Sequence, residues 1–153
     1  MHYWDRLVEL DITSVQRRCE RYSIITLWKI MEGLLPGSQY VNQTETRKGR
    51  VIILPRPPLN ISNTVVKLRQ ETFFYRAGSL YNACPRYVRD TKGVSLDVFK
   101  SRLNRFLRWV PDHPRDPGSG CYPEAYDSVR QSPSNSIVHW RILMEREYPG
   151  YQW

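Results

Sequence analysis

The stretch SVQRRCERYSIITLWKIMEGLLP, residues 14–36, decides how the rest of the chain has to be arranged. Its first half mixes basic and apolar residues at helical spacing: on one wheel Val15, Cys19 and Tyr22 share an edge, with Arg17, Arg18 and Arg21 opposite. In its second half Ile24, Ile25, Leu27, Trp28, Ile30 and Met31 point to every side of the same helix. A helix that is apolar all round has to be covered all round. The second half is therefore expected to be buried, as a built-in part of something larger. Thr13 with Gln16 three residues on predicts the helix start as a capping box. Gly33 and then Pro36 predict its stop.

Working outward, Trp4, Leu7 and Val8 stand at helical spacing within residues 2–10, and Asp11 to Thr13 break that segment before the long helix. After the long helix, Gly37 to Lys48 is polar and reads as a surface loop. Val51 to Leu54 reads as a short strand closed by Pro55, Pro57 and Pro58, which cannot continue a ladder. Val65 to Leu68 and Phe73 to Tyr75 are two further extended candidates, though apolar runs this short fit helix as well. Gly78 to Asn82 reads as a turn or helical turn ending before Pro85, with Arg86 to Arg89 as another turn. Ser95 to Trp109 is the best-defined late element. Ser95 is placed to cap it, Asp97 suits the positive end of the helix dipole, and Leu96, Phe99, Leu103, Phe106, Leu107 and Val110 fall within about 100° of the wheel. Lys100, Arg102, Arg105 and Arg108 spread over the other side.

Six of the eleven prolines lie beyond Val110, with Gly118, Gly120 and several serines, so residues 111–135 are expected to be irregular. Ile137, Trp140 and Met144 could form one short helix near 136–147, either packed back or loose. The expected fold class is mainly α with a few short strands, an α-rich α+β fold. Its two principal helices are expected at about 13–32 and 95–109. The expected division is a basic, mostly helical domain over 1–110 and a flexible Pro/Gly/Ser-rich tail over 111–153.

The 153 residues suffice for one modest core without a separate catalytic module. The formal charge of +8 is uneven: residues 1–110 hold 19 Lys or Arg against 9 Asp or Glu, whereas 111–153 hold 4 against 6. A basic excess of that size attracts polyanions, nucleic acid first among them. Cys19, Cys84 and Cys121 are an odd, widely spaced set with no Cys-x-x-Cys pair, which predicts neither a disulfide framework nor a zinc site. No signal-peptide core and no run of roughly 20 apolar residues is present, so an intracellular protein, nuclear or cytoplasmic, is expected, neither secreted nor in a membrane. The sequons at Asn42 and Asn60 are then accidental.

Catalytic chemistry finds little to stand on. His2, His113 and His139 are isolated and lack metal-ligand spacing. No Gly-x-x-x-x-Gly-Lys phosphate loop occurs, and no small-molecule substrate is expected. Asp11, Asp97 and Glu20 sit at helix starts and on polar faces, where solubility and capping account for them.

The order of phrases along the chain nevertheless resembles the region C-terminal to the polymerase core in reverse transcriptases of animal non-LTR retrotransposons, of the jockey-like kind. The likeness begins with Tyr3, Trp4, Arg6 and Leu7 and continues with Ser14, Gln16, Arg17, Arg18, Glu20, Arg21 and Tyr22, then Trp28, Lys29, Ile30, Glu32 and Gly33. It runs on through Gly49 and Arg50, through Phe73 to Asn82 with Gly78 and Leu80, and through Pro85. Phe99, Lys100, Leu103, Phe106 and Leu107 follow, and it reaches Pro111, Asp112 and Ser134 to Ser136. The resemblance implies an RNA-directed DNA polymerase as the complete protein. Its Tyr/Phe-x-Asp-Asp box would hold two Mg²⁺ ions about 3.5 to 4 Å apart. No adjacent pair of aspartates occurs in this chain, so it is expected to be noncatalytic by itself and without a cofactor of its own. Met1 just before the opening phrase suggests a truncated reading frame.

Expected partners are RNA or DNA, bound non-specifically, and the missing polymerase domain. Arg17, Arg18 and Arg21 occupy successive turns and could neutralise neighbouring phosphates, or pair within the chain, or simply be solvated. Trp109 lies about 180° round the wheel from Lys100, in the sector of Arg102 and Arg105, where its ring could stack on an unpaired base or cover another segment. Lys48 and Arg50, with Arg47 and Gly49, form a third, weaker basic patch. The competing expectations are a packing module, in which the apolar half of the long helix docks on the polymerase domain, and a transposon remnant with no cellular role.

Overall fold

The computed structural model describes residues 3–55, 62–112 and 137–151. The fold is helix-dominated, an α-rich α+β arrangement with one small two-stranded sheet. In chain order the elements are α1 (Tyr3–Glu9), α2 (Val15–Met31), a single 3-10 turn (Ser38–Tyr40), β1 (Gln43–Thr46), β2 (Gly49–Ile52), α3 (Asn63–Gln70), α4 (Phe73–Ala83), α5 (Arg86–Arg89), α6 (Leu96–Trp109) and α7 (Ile137–Glu147).

α2 is the axis of the core. Ser14 caps it, one residue later than the capping box predicted, and its Oγ accepts from Arg17 N at 3.1 Å. The end is a Schellman turn at the expected place: Gly33 takes φ +77°, its N–H donates to Ile30 O, and Leu34 N–H donates to Lys29 O. Ile24, Ile25, Leu27, Trp28 and Ile30 are all buried, as a helix apolar on every side requires. What covers them is this chain. α4 packs along α2, and α6 brings Phe99 flat against Trp28, with ring centroids 4.6 Å apart and planes 7° apart. The Trp28 indole N–H is satisfied by Thr91 Oγ1 at 3.1 Å. The expectation that this surface waits for a separate polymerase domain is therefore corrected: its cover comes from later helices.

α6 matches its prediction closely. Ser95 Oγ accepts from Val98 N, Phe99, Leu103 and Phe106 are buried along one stripe, and Val110 closes the stripe just beyond the helix. The open question about the last helix is answered by contact: α7 packs on α4, Ile137 is fully buried, and Trp140 meets Phe106 edge-on at 5.8 Å. The irregular tail expected over 111–135 falls, from 113 on, outside the described residues, as do His2, His113, Cys121 and Asn60.

The middle of the chain departs from expectation. The polar stretch 37–48 is not all loop. It contributes β1, which pairs antiparallel with β2 in the register Gln43↔Ile52 to Thr46↔Gly49 across a turn at Arg47 and Lys48. Gly49, at φ +95°, supplies the left-handed residue that this tight reversal needs. Val65 to Leu68 and Phe73 to Tyr75, expected as extended, are helical in α3 and α4. Tertiary packing overrides β-propensity here, because α4 must present one face to α2 and another to β2. α4 ends at Ala83, just before Cys84 and Pro85, where a residue preceding proline leaves helical geometry.

The docking of α4 on the hairpin explains its glycine. A Cβ on Gly78 would stand 2.8 Å from Leu54 Cδ2 and 3.1 Å from Ile52 Cγ2, so a side chain there fits only if these neighbours shift. One turn later Asn82 donates to Ile52 O and accepts from Ile52 N, both at 2.8 Å.

Candidate nucleic-acid interface

The three arginines of α2 do not share one fate. Arg17, a candidate phosphate contact for which pairing within the chain was the alternative, is 3% exposed and held inward, whereas Val15, Cys19 and Tyr22 are exposed. The reason is a set of acceptors far away in sequence. Arg17 donates to Glu20 Oε2 at 3.2 Å and to Pro111 O at 3.0 Å, and its Nε lies 3.6 Å from Asp112. The same Asp112 carboxylate accepts from Ser14 N and Oγ at 2.5 and 2.6 Å. Glu20 Oε1 in turn accepts from Ile137 N at 3.3 Å. Arg17 thus ties the start of α2 to the exit of α6 and the entry of α7, and its charge is balanced where it sits.

Arg18 and Arg21 face outward. Arg18 is exposed and bonds Thr13 O through Nε at 3.1 Å. Arg21 Nε donates to Asn104 Oδ1 at 2.8 Å, crossing from α2 to α6, and its guanidinium lies 5.6 Å from the Tyr22 ring centroid. Between the two helices runs a cleft of about 470 Å³ lined by Thr13, Arg18, Arg21, Tyr22, Asn104 and Arg108, with Arg17 and Asp112 at its base.

The opposite flank of α6 is aromatic. Trp109, on the outer face as expected, is 75% exposed. It borders a groove of about 680 Å³ shared with Tyr87, Arg105, Trp140, Tyr148 and Tyr151. Burial among these rings raises the Tyr87 phenol above its ordinary range, with the nearby Arg105 guanidinium pulling the other way. Arg102, also expected at the interface, is half-buried. It donates to Tyr87 O at 3.2 Å and Asp90 O at 3.3 Å, so its visible work is to hold α5 against α6.

The hairpin patch divides in the same way. Lys48 and Arg47 are exposed at the turn. Arg50 is 4% exposed and paired with Glu32 at 2.7 Å, and Glu32 also accepts from Gly93 N at 3.1 Å. Arg50 therefore fixes the hairpin to the end of α2 and is not displayed to a ligand.

Of the candidate residues, Arg18, Arg21, Lys48, Arg105 and Trp109 are on the outer surface; Arg108, expected on the polar side of α6, was not assigned to the site, and neither were Asn104 and the tyrosines. Arg108 follows Arg105 by three residues, a spacing that sets the two on neighbouring turns, with Arg108 turned to the cleft and Arg105 to the groove. Tyr148 and Tyr151 lie beyond the last periodic segment, where nothing local pairs them with α6. Among the described residues no group of three or more His, Cys, Asp or Glu could hold a metal ion, and no helix is long and apolar enough to cross a membrane. Cys84 is fully buried, and desolvation pushes its thiol up to about 12, which makes it a packing residue and a poor nucleophile. No protein-family model, no curated protein and no solved structure matches the chain.

Proposed function

We propose that this chain is the noncatalytic C-terminal portion of a jockey-like non-LTR retrotransposon reverse transcriptase, and that it holds RNA or DNA non-specifically on the α2–α6 face. The ancestry rests on the ordered phrases in the sequence. The binding role rests chiefly on one observation: the Arg21–Asn104 bond joins two basic helix faces that are 83 residues apart into a single arginine-lined cleft. Arg18, Arg21 and Arg108 are the charges placed to meet phosphates, with Arg105 and Lys48 further along the surface. In this reading Mg²⁺ belongs to the polymerase core that the resemblance implies, and no step of chemistry is assigned to this chain.

Titration of the full chain with short single-stranded and duplex oligonucleotides over a salt series tests the binding role. Each phosphate neutralised should contribute a slope of about −0.7 to −0.9 in log K against log salt, through counterion release. The combined variant Arg18→Glu, Arg21→Glu and Arg108→Glu should weaken binding and flatten that slope while leaving the circular dichroism spectrum unchanged. Binding that ignores salt, or that the triple variant retains in full, would remove the cleft from consideration.

A second reading, a packing module for an upstream polymerase domain, is favoured by a different feature. Val8, Leu10 and Ile12 near the start of the chain, with Val15 at the head of α2, are large apolar side chains 40 to 72% exposed. Aggregation of the isolated chain that is relieved by charged substitutions at Val8 and Leu10 would favour it. A remnant with no cellular role is compatible with the same surfaces.

A further inference from the structure

We infer that the groove on the far flank of α6 is a base-stacking site, so that the nucleic acid held here is single-stranded, with its bases in the groove and its backbone crossing toward the arginine cleft. This inference rests on the nucleic-acid reading above and assigns it a strand class and a base-facing surface.

Several large aromatic side chains from three separate parts of the chain converge on one concavity. Trp109 ends α6, Tyr87 sits on α5, and Tyr148 and Tyr151 follow α7, with exposures of 75, 39, 60 and 62%. The buried Phe106 and the half-buried Trp140, edge-on to it at 5.8 Å, also line the groove. Aromatic faces left in water around a groove are costly to the fold and suit a flat apolar ligand. Charge selects the ligand class. Arg105 lines the groove, and Arg108, three residues on and adjacent to Trp109, lines the cleft on the other flank. One helix therefore carries stacking rings with Arg105 on one flank and Arg108 on the other. Single-strand binders combine these two elements, a basic track and rings on which successive bases stack. A duplex keeps its bases inside and can use only the arginines.

The test uses the full chain and three fluorescent probes of about 12 nucleotides, within the usual site size of single-strand binders. These are a single-stranded RNA, its duplex with the complement, and an abasic strand with the same phosphates and no bases. The single strand is expected to bind at least tenfold more tightly than the abasic strand, since even one stacked base is worth about that factor. Trp109→Ala and Tyr148→Ala should reduce the single strand toward the abasic level without changing abasic binding, and Trp109→Phe should keep most of the preference. Both residues are exposed, so folding should survive, as thermal melting would verify. Equal binding of stranded and abasic probes, with Trp109→Ala inert and the salt slope intact, would overturn the groove and leave the arginine cleft standing. No salt-dependent binding of any probe would overturn both. Binding of a proline-rich peptide that is lost in Trp109→Ala, with RNA binding changed neither by the peptide nor by Trp109→Ala, would assign the groove to a peptide and overturn it as a base site.

Discussion

Asn82 holds Ile52 by both of its backbone groups: the side-chain amide donates to the carbonyl and accepts from the N–H, each at 2.8 Å. The register of the hairpin directs these two groups of Ile52 away from β1, so α4 supplies what a third strand would. Replacement by Leu leaves a donor and an acceptor without partners at a half-buried site. Each such group costs about 1 to 3 kcal/mol when fully buried, so Asn82→Leu should lose about 2 kcal/mol in urea denaturation. Asn82→Asp keeps the acceptor but turns a carboxylate oxygen toward the Ile52 carbonyl, so it should not recover the loss at neutral pH.

Gly78→Ala sets two effects against each other. Alanine is favoured over glycine inside a helix by about 1 kcal/mol, whereas the new Cβ would press on Leu54 at 2.8 Å and Ile52 at 3.1 Å. Leu54 can swing its end away, but Ile52 is held in place by Asn82. Overpacking of this kind costs about 1 to 3 kcal/mol, so a net loss near 1 kcal/mol is expected by thermal or chemical denaturation. A stabilised Gly78→Ala chain would show that the hairpin floats free of α4.

Arg17 and Arg18 are neighbours with opposite expected behaviour. Arg17→Met removes the cation facing Glu20 and Asp112 and leaves those carboxylates partly buried. Breaking a buried ionic cluster by deleting one member costs about 3 kcal/mol or more. Arg18→Met, at an exposed site, should stay within about 0.5 kcal/mol of the parent chain. Denaturant midpoints of the two variants give the comparison. Charge reversal of all α2 arginines together would confuse unfolding with lost binding, so Arg17 is left intact in the binding test.

Alkaline pH should destabilise the chain through two buried groups. Burial raises Cys84 from 9.0 to about 12 and Tyr81 from 10.0 to about 12. Above about pH 9 the unfolded chain therefore releases protons that the folded chain retains. Stability contributed by the neutral groups is complete below the unfolded values and falls as pH rises toward the folded ones. Unfolding free energies measured from neutral pH upward should decline through this window, and Cys84→Ala with Tyr81→Phe should flatten the decline. Cys84 should also resist thiol reagents until the chain unfolds, whereas the exposed Cys19 reacts at once.

Period and caps made the two long helices legible: the α6 stripe from Phe99 to Phe106 and the all-round apolar half of α2 could only be core. Local signals failed where the deciding partner is remote. No wheel decides whether Arg17 meets phosphate, solvent or a partner within the chain, because Asp112 and Pro111 lie more than ninety positions away. Gly78 reads as part of a turn or helical turn and the Phe73 to Tyr75 run fits strand as well as helix, because the contact with β2 that crowds the Gly78 position is not local. Of the candidate site, single exposed residues such as Trp109 were readable. The groove was not, since its rings come from α5, α6 and the segment after α7.

Among the described residues the hairpin is finished on one side and open on the other. The outward-facing groups of β2 are engaged by helices, Ile52 by Asn82 and the carbonyl of Arg50 by Arg89 at 3.3 Å. Strand addition from another molecule is thus blocked along that margin. Growth of the sheet would have to begin at β1, whose four residues are all exposed. There Glu45, bound to Lys92 at 2.9 Å, puts a charged pair beside the unpaired margin, a device that discourages fibrous self-association.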